Sequence, residues 1–350
     1  MSSGTMKAAL LYRPDDLRVE EIPIPTPDEN EVLIKVDRCG ICGTDAHILH
    51  GRFPAPNLPL VIGHEFAGTV VHTGSRVEQV KLGQKVTVDI NISCGVCYFC
   101  RINRKLFCPY VRQLGVHAAG GMAEYVVAPA ANVYVLPDSM SFEHAAYIEP
   151  LACTIHGQDR AQIAVGDSVA IIGAGPMGLA HTLLAKARGV AQVIISEPDA
   201  GRRKRAVELG ADSVINPMEE DPIEAVRNAT GGRGADVVIE AVGSPRTYEQ
   251  TFGLVRRGGT ILAYGAAPPD ATIQARPFNI YANELTIVGS YAGTYETWPK
   301  AIALIESGRF DPSAIVDSVR PLVEVEQAIE SIERDKSVVK VQVAIAAIMS

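Results

Sequence analysis

The sequence predicts an α/β fold in two parts, an irregular β-rich half followed by a doubly wound parallel sheet. Three observations carry this reading. From Lys7 to Tyr134, short runs rich in β-branched residues are separated by Gly and Pro. From about Gln158, short apolar runs alternate with helix-like stretches. A glycine-rich turn, G-A-G-P-M-G at residues 173–178, joins the first of those runs to the first of those helices. Strands that alternate with helices pair in parallel, with the helices covering both faces.

In chain order, residues 31–36, 67–72 and 85–88 read as strands, punctuated by Pro23, Pro25, Pro27, Gly51, Pro54, Pro56, Gly74 and Gly83. Residues 76–84 form a turn region. In the second half, 168–172 is a strand and 176–188 a helix stopped by Gly189. A strand at 192–196 precedes a helix at 202–209, stopped by Gly210. Strands follow at 213–215, 236–240, 260–264 and 285–289, with helices at 223–229 and 248–255 between them. Beyond Gly289 the rhythm loosens into helices at 298–306 and 325–332 and a strand at 338–344. No internal repeat or low-complexity segment is present.

At 350 residues the chain has room for two domains, and 47% hydrophobic with 21% charged residues predicts a large packed core. The expected boundaries are 1–157, with a lobe at about 90–110, then 158–294, and a tail at 295–350 that returns to the first domain. The formal net charge of -8, with Arg202 to Arg205 as only a short basic run, argues against a nucleic-acid partner. Residues 1–6 lack a signal-peptide pattern, and no run reaches the ~18 apolar residues of a membrane span.

Cys94, Cys97, Cys100 and Cys108 read C-x2-C-x2-C-x7-C. Four thiolates in so short a stretch suit a closed tetrahedral Zn²⁺ cage, which is structural rather than catalytic. Three cysteines with two residues between each and the next do not easily form disulfides with one another. Thiolates kept for metal point to a reducing compartment, hence the cytoplasm.

The glycine-rich turn follows a strand and opens a helix, the context its chemistry requires. Gly173 allows the tight turn, Gly175 lets backbone approach a pyrophosphate, and Gly178 lets helix pack on strand. With Pro176 and Met177 they form the expected dinucleotide cradle at a helix N-terminus. Glu197, 19 residues after Gly178, is the expected ribose acceptor and favours NAD. Arg202 and Arg203 stand close behind, which leaves NADP open.

A second donor set is spread through the first half. Cys42, Thr44 and His47 offer a thiolate, a hydroxyl and an imidazole; His64 and Glu65 offer an imidazole and a carboxylate; Glu149 is a further carboxylate. One Cys, one His and one carboxylate with an open fourth position describe a catalytic zinc. Thr44 also fits a helix N-cap, and His47 a surface polar residue.

These motifs, in this order, resemble the zinc-dependent medium-chain dehydrogenases/reductases, in particular the sorbitol (polyol) dehydrogenase and L-threonine 3-dehydrogenase branch. The resemblance rests on C-G-I-C-G-T-D-x-H at 39–47, G-H-E at 63–65, the four-cysteine lobe, E-P-L at 149–151 and the glycine turn. It implies a GroES-like β-barrel catalytic domain and a Rossmann domain, and two zincs per chain, one catalytic and one structural. It implies Cys42 and His64 as catalytic-zinc ligands, Glu149 as a ligand directly or through water, and Glu65 as a nearby or exchanging one. Asp45 would orient a ligand, and Cys39 and Cys153 would be packing residues.

The implied reaction is reversible oxidation of a secondary alcohol to a ketone by the nicotinamide, with zinc as Lewis acid. Thr44 and His47 would relay the proton by way of the cofactor ribose. Polyol or sugar-derived alcohols come first as substrates, L-threonine second, and a simple secondary alcohol or aminocyclitol third, with the segment 113–124 contributing to the choice. Family members assemble as homotetramers or homodimers, and the lobe is expected near a subunit interface. Competing readings are a zinc-less quinone or enoyl reductase and a non-catalytic binding module.

Overall fold

A computed structural model describes residues 4–53 and 55–345; the N-terminal three residues, Pro54 and the last five lie outside the described residues. The chain divides into two compact units. One comprises the residues up to Ala152 together with those from Gly293 onward, and the other runs Cys153–Ala292.

The first unit is built on a seven-stranded sheet. Its path runs Val133–Val135, Lys85–Val88, Glu65–Thr73, Glu31–Gly40, Lys340–Ala344 and Val316–Pro321, with Tyr125–Pro129 also paired to Glu31–Gly40. A three-stranded sheet places Thr5–Arg13 between Asp16–Pro23 and Leu60–Val61. Alternation drives the pleat: in Glu31–Gly40, Val32, Ile34 and Val36 turn into a core with Phe66, Val70, Val86 and Val126. Val341 and Val343 of the C-terminal strand join the same core, which integrates the tail into this unit.

The second unit is a six-stranded parallel sheet. In chain order its strands are Ser168–Ile172, Gln192–Ser196, Ser213–Ile215, Ala235–Glu240, Val255–Ala263 and Thr286–Gly289. In space they run third, second, first, fourth, fifth, sixth. The order reverses between the first and fourth strands, and ligands of open α/β sheets bind at the strand C-termini beside such a reversal. The first strand is buried along its whole length, as an interior parallel strand must be.

The observed elements depart from the pattern reading at their ends. The helix expected at 248–255 begins at Pro245, because Ser244 and Thr247 form a capping box and proline occupies the first turn. The helix expected from Arg202 begins at Ala200, where Asp199 accepts the Arg202 N–H. The strand expected at 260–264 begins at Val255, with a register shift against its neighbour. Several elements lacked a clear local pattern, among them the helices Gly43–Leu49 and Ile148–Ala161 and the strand Val316–Pro321.

Candidate active site

Three strand ends converge in the first unit. Glu31–Gly40 ends two residues before Cys42, Glu65–Thr73 begins beside His64, and Lys340–Ala344 begins at Lys340. Ladder register sets Gly40 opposite Glu65. A Cβ on Gly40 would stand 2.0 Å from Glu65 Oε2, so only glycine leaves space for that carboxylate.

The Cys42 thiol, one His64 ring nitrogen and one Glu65 oxygen lie within 4.8 Å of one another. Glu149, in the first turn of the helix Ile148–Ala161, is 7% exposed but does not belong to this cluster. Cys42 caps the helix Gly43–Leu49 and its N–H donates to Asp45 Oδ2 at 2.8 Å. Thr44 is therefore the second helical residue rather than the N-cap. Thr44 and His47, three apart, share one helix face, both half-buried.

The cluster attracts positive charge. Asp45 is fully buried, and its Oδ1 lies 3.4 Å from His64 Nδ1 with neither atom otherwise hydrogen-bonded. Burial alone would lower the His64 pKa; the Asp45 carboxylate and Cys42 thiolate outweigh it and hold the imidazole well above its ordinary value. A half-buried thiol with a buried imidazole and a buried carboxylate, and a second carboxylate behind the imidazole, is a donor set that fits Zn²⁺. Burial lowers the His47 pKa, and the Arg52 guanidinium adds to the effect, so His47 is neutral near pH 7.

Lys340 was not among the residues singled out by pattern. Its ammonium, 2% exposed, donates to Glu65 Oε1 at 2.6 Å and to the Ile41 carbonyl at 2.9 Å. The available signal was a lone lysine in the apolar run V-V-K-V-Q-V. The segment 113–124 runs beside His64, since Gly121 N–H donates to the Gly63 carbonyl at 2.8 Å.

The four sulfurs of Cys94, Cys97, Cys100 and Cys108 also lie within 4.8 Å of one another. Tetrahedral Zn–S bonds of ~2.3 Å would set them about 3.8 Å apart, and Cys97 and Cys100 are 3.5 Å apart. Backbone N–H groups of Cys94 and Tyr110 point at the Cys108 sulfur at 3.5 and 3.4 Å. Backbone N–H groups of Val96 and Cys97 lower the Cys94 pKa to about 6. No cysteine is in a disulfide. The buried Lys105, paired with Asp89 and lying 3.7 Å from the Tyr295 ring centroid, anchors this lobe to its unit.

In the second unit Gly173 takes φ +98°, and its N–H donates to the Ser196 carbonyl at 2.8 Å. A Cβ on Gly178 would stand 2.0 Å from the Gly173 oxygen. Gly175 caps the helix Pro176–Arg188 and, with Pro176 and Met177, is half-exposed at the head of that helix. The nearest atom to a Cβ on Gly175 would be Arg202 Nη1 at 3.9 Å, so room remains over the turn. Glu197 is 5% exposed and accepts the Ala174 and Asp199 N–H groups at 2.8 and 2.9 Å. Each of its oxygens keeps a further lone pair. Arg203 donates to the Glu197 and Pro198 carbonyls at 2.8 and 2.6 Å, which leaves Arg202 as the guanidinium nearest the turn.

Comparison with known proteins agrees with both units. The family described as "Alcohol dehydrogenase GroES-like domain" matches residues 28–138, and "Zinc-binding dehydrogenase" matches residues 176–307. D-arabinitol dehydrogenase 1 of Uromyces fabae is 36% identical, covering 94% of this chain and 96% of its own length. L-threonine 3-dehydrogenase of Thermococcus kodakarensis is 40% identical, covering 85% of each chain. A solved structure titled as a putative zinc-binding dehydrogenase from Sinorhizobium meliloti 1021 bound to NADP is 37% identical. It superposes with a TM-score of 0.94 over 97% of this chain and 99% of that one. Zinc and a nicotinamide cofactor therefore come with the family, and among the described residues no helix is long and apolar enough to cross a membrane. With a GroES-like unit holding the Cys–His–Glu cluster and a Rossmann unit holding the glycine turn, the chain belongs to the zinc-dependent medium-chain dehydrogenases/reductases, NAD(P)-dependent oxidoreductases of alcohols.

Proposed function

We propose that this enzyme oxidises a secondary alcohol of a polyol or sugar-derived substrate to the ketone, with NAD⁺ as acceptor. The observation that carries the reading is the Cys42–His64–Glu65 cluster, with its imidazole and carboxylate buried and its thiol half-buried, in a chain that also holds the glycine turn. Zinc held there supplies Lewis acidity towards an alcohol oxygen, and the nicotinamide accepts the hydride. Cys42, His64 and Glu149 hold the metal in this reading. Glu65 takes part when it is not satisfied by Lys340, and Asp45 fixes the His64 ring. In this reading the Thr44 hydroxyl takes the substrate proton as it gives up its own, and His47, neutral and one turn on, is the end of that relay rather than its direct partner. Gly173, Gly175, Pro176, Met177 and Gly178 carry the diphosphate, and Glu197 the adenosine ribose. Arg202 leaves NADP⁺ as a second acceptor.

The polyol reading rests on relatives such as the arabinitol dehydrogenase, aligned over 94% of the chain. The 40% identity to a threonine dehydrogenase favours L-threonine as the second reading. We also propose two zincs per chain, with Cys94, Cys97, Cys100 and Cys108 holding the structural one; a homotetramer or homodimer; and the cytoplasm, where thiols stay reduced. Initial rates of NAD⁺ and NADP⁺ reduction across polyols, cyclitols, L-threonine and simple secondary alcohols test the reading. A rate confined to polyols with NAD⁺ supports it. A rate confined to L-threonine replaces the substrate, and none from a chain loaded with two zincs removes the polyol assignment.

A further inference from the structure

Glu240 ends the fourth strand of the parallel sheet, and its side chain is fully buried. A carboxylate in such a place is costly unless donors surround it. Its donors are local. Oε1 accepts from the Val242 and Gly243 N–H groups at 3.0 and 2.9 Å and from the Thr247 hydroxyl at 2.7 Å, and Oε2 accepts from Gly243 N–H at 3.0 Å. Thr247 has a single hydroxyl proton, and the charged acceptor takes it. Its oxygen is then free to accept from the Ser244 hydroxyl at 2.7 Å. One carboxylate thus ties the loop after the fourth strand to the head of the helix Pro245–Leu254.

The backbone of the same residue holds the next loop. Tyr264 and Gly265 N–H groups donate to the Glu240 carbonyl at 3.2 and 2.7 Å, and the Tyr248 hydroxyl donates to the Gly265 carbonyl. A Cβ on Gly265 would stand 2.3 Å from the Gly243 nitrogen, so the loops touch backbone to backbone. Their neighbour is the glycine turn: Ala241 N–H donates to the Ile172 carbonyl at 3.0 Å, and a Cβ on Gly173 would meet the Val242 side chain at 2.8 Å.

Sheet order assigns a use to this wall. The turn at 173–178 stands at the reversal point, with Glu197 on the side of the second strand. A dinucleotide with its diphosphate on the turn and its adenosine ribose at Glu197 extends its other half over the fourth and fifth strand ends. We propose that Glu240, with Thr247, is a positioning residue for the nicotinamide half of the cofactor, by fixing loops 241–244 and 264–266 as one wall. The inference rests on the dinucleotide reading above.

The test is calorimetric titration of the zinc-loaded full chain with NADH and, separately, with ADP-ribose, which lacks the nicotinamide. Glu240→Gln keeps the size but turns an amide NH₂ towards the Gly243 N–H. NADH should bind about tenfold more weakly, the size of one lost charge-assisted contact, with ADP-ribose affinity unchanged and KM for NAD⁺ raised more than kcat falls. Equal loss for both ligands, or no loss for either, overturns the inference. Should Glu240→Gln fail to fold, Thr247→Val decides by the same split, with a smaller effect in the same direction. A wild-type chain that binds neither ligand defeats the dinucleotide reading itself.

Discussion

Lys340 and Glu65 are 275 residues apart in sequence and form a buried ion pair with 3% and 1% of their side chains exposed. Burial would lower the Lys340 pKa; the Glu65 carboxylate outweighs it and raises it. Removing one partner of a buried pair strands the other charge. Lys340→Met should therefore destabilise the metal-free chain by about 3–5 kcal/mol, measured by urea unfolding, and a change within error would show the pair to be dispensable. Cys42 and His64 carry a different consequence. Cys42→Ser or His64→Ala should lower turnover by about three orders of magnitude, the loss of several kcal/mol of charge stabilisation. Metal analysis should read one zinc per chain instead of two, with the circular dichroism spectrum retained. Full metal content in either variant would exclude that residue as a ligand.

The helix Gly43–Leu49 and the helix Val325–Arg334 are joined by charge. His50 Nδ1 and Nε2 stand 2.5 Å from Asp15 and 2.7 Å from Glu333, and Arg52 donates to Glu333 at 2.6 Å. The hydrogen bond to Asp15 is the first cause raising the His50 pKa above 6.5, with Glu333 adding to it. Burial pushes Glu333 up, but its bonds from His50 and Arg52 outweigh this and hold it below 4.5. A raised histidine contributes its stability fully below 6.5 and loses it as pH climbs through its folded pKa. A lowered carboxyl contributes above 4.5 and loses it as pH falls through its folded pKa. The junction is thus strongest between these values. His50→Gln should flatten the fall in Tm above pH 6.5, measured by scanning calorimetry; an unchanged profile would place the pH dependence elsewhere. The four-cysteine lobe is the second element with its own test. Cys97→Ser should lower Tm by about 3 °C or more, because metal binding there is coupled to local folding. Unchanged Tm and zinc content would refute the cage.

At the scale of the molecule, each of the two units carries its own candidate site: the cysteine, histidine and carboxylate donors in one, the dinucleotide turn in the other. Dialysis against a zinc chelator should therefore abolish turnover while NADH binding persists, followed by cofactor fluorescence; loss of both together would mean that the metal also supports the cofactor site. Much of this was legible in the chain. The six strands of the second unit, the turn at 173–178 and the four cysteines are local patterns, and local spacing is what sequence periodicity reports. The helix Gly43–Leu49 was not legible, because it is shorter than two full turns of apolar repeat and starts at a cysteine rather than a customary cap. Lys340 beside Glu65 and Glu240 under two loops were likewise hidden, and Asp45 was expected to orient a ligand without its partner being legible as His64. Each depends on which strand ends meet, and that follows from sheet register and chain crossover between residues distant in sequence. Local spacing determined which residue types were available for the chemistry. Only the tertiary structure decided which of them share a buried site, because burial turns a polar group into a partner for whatever lies beside it.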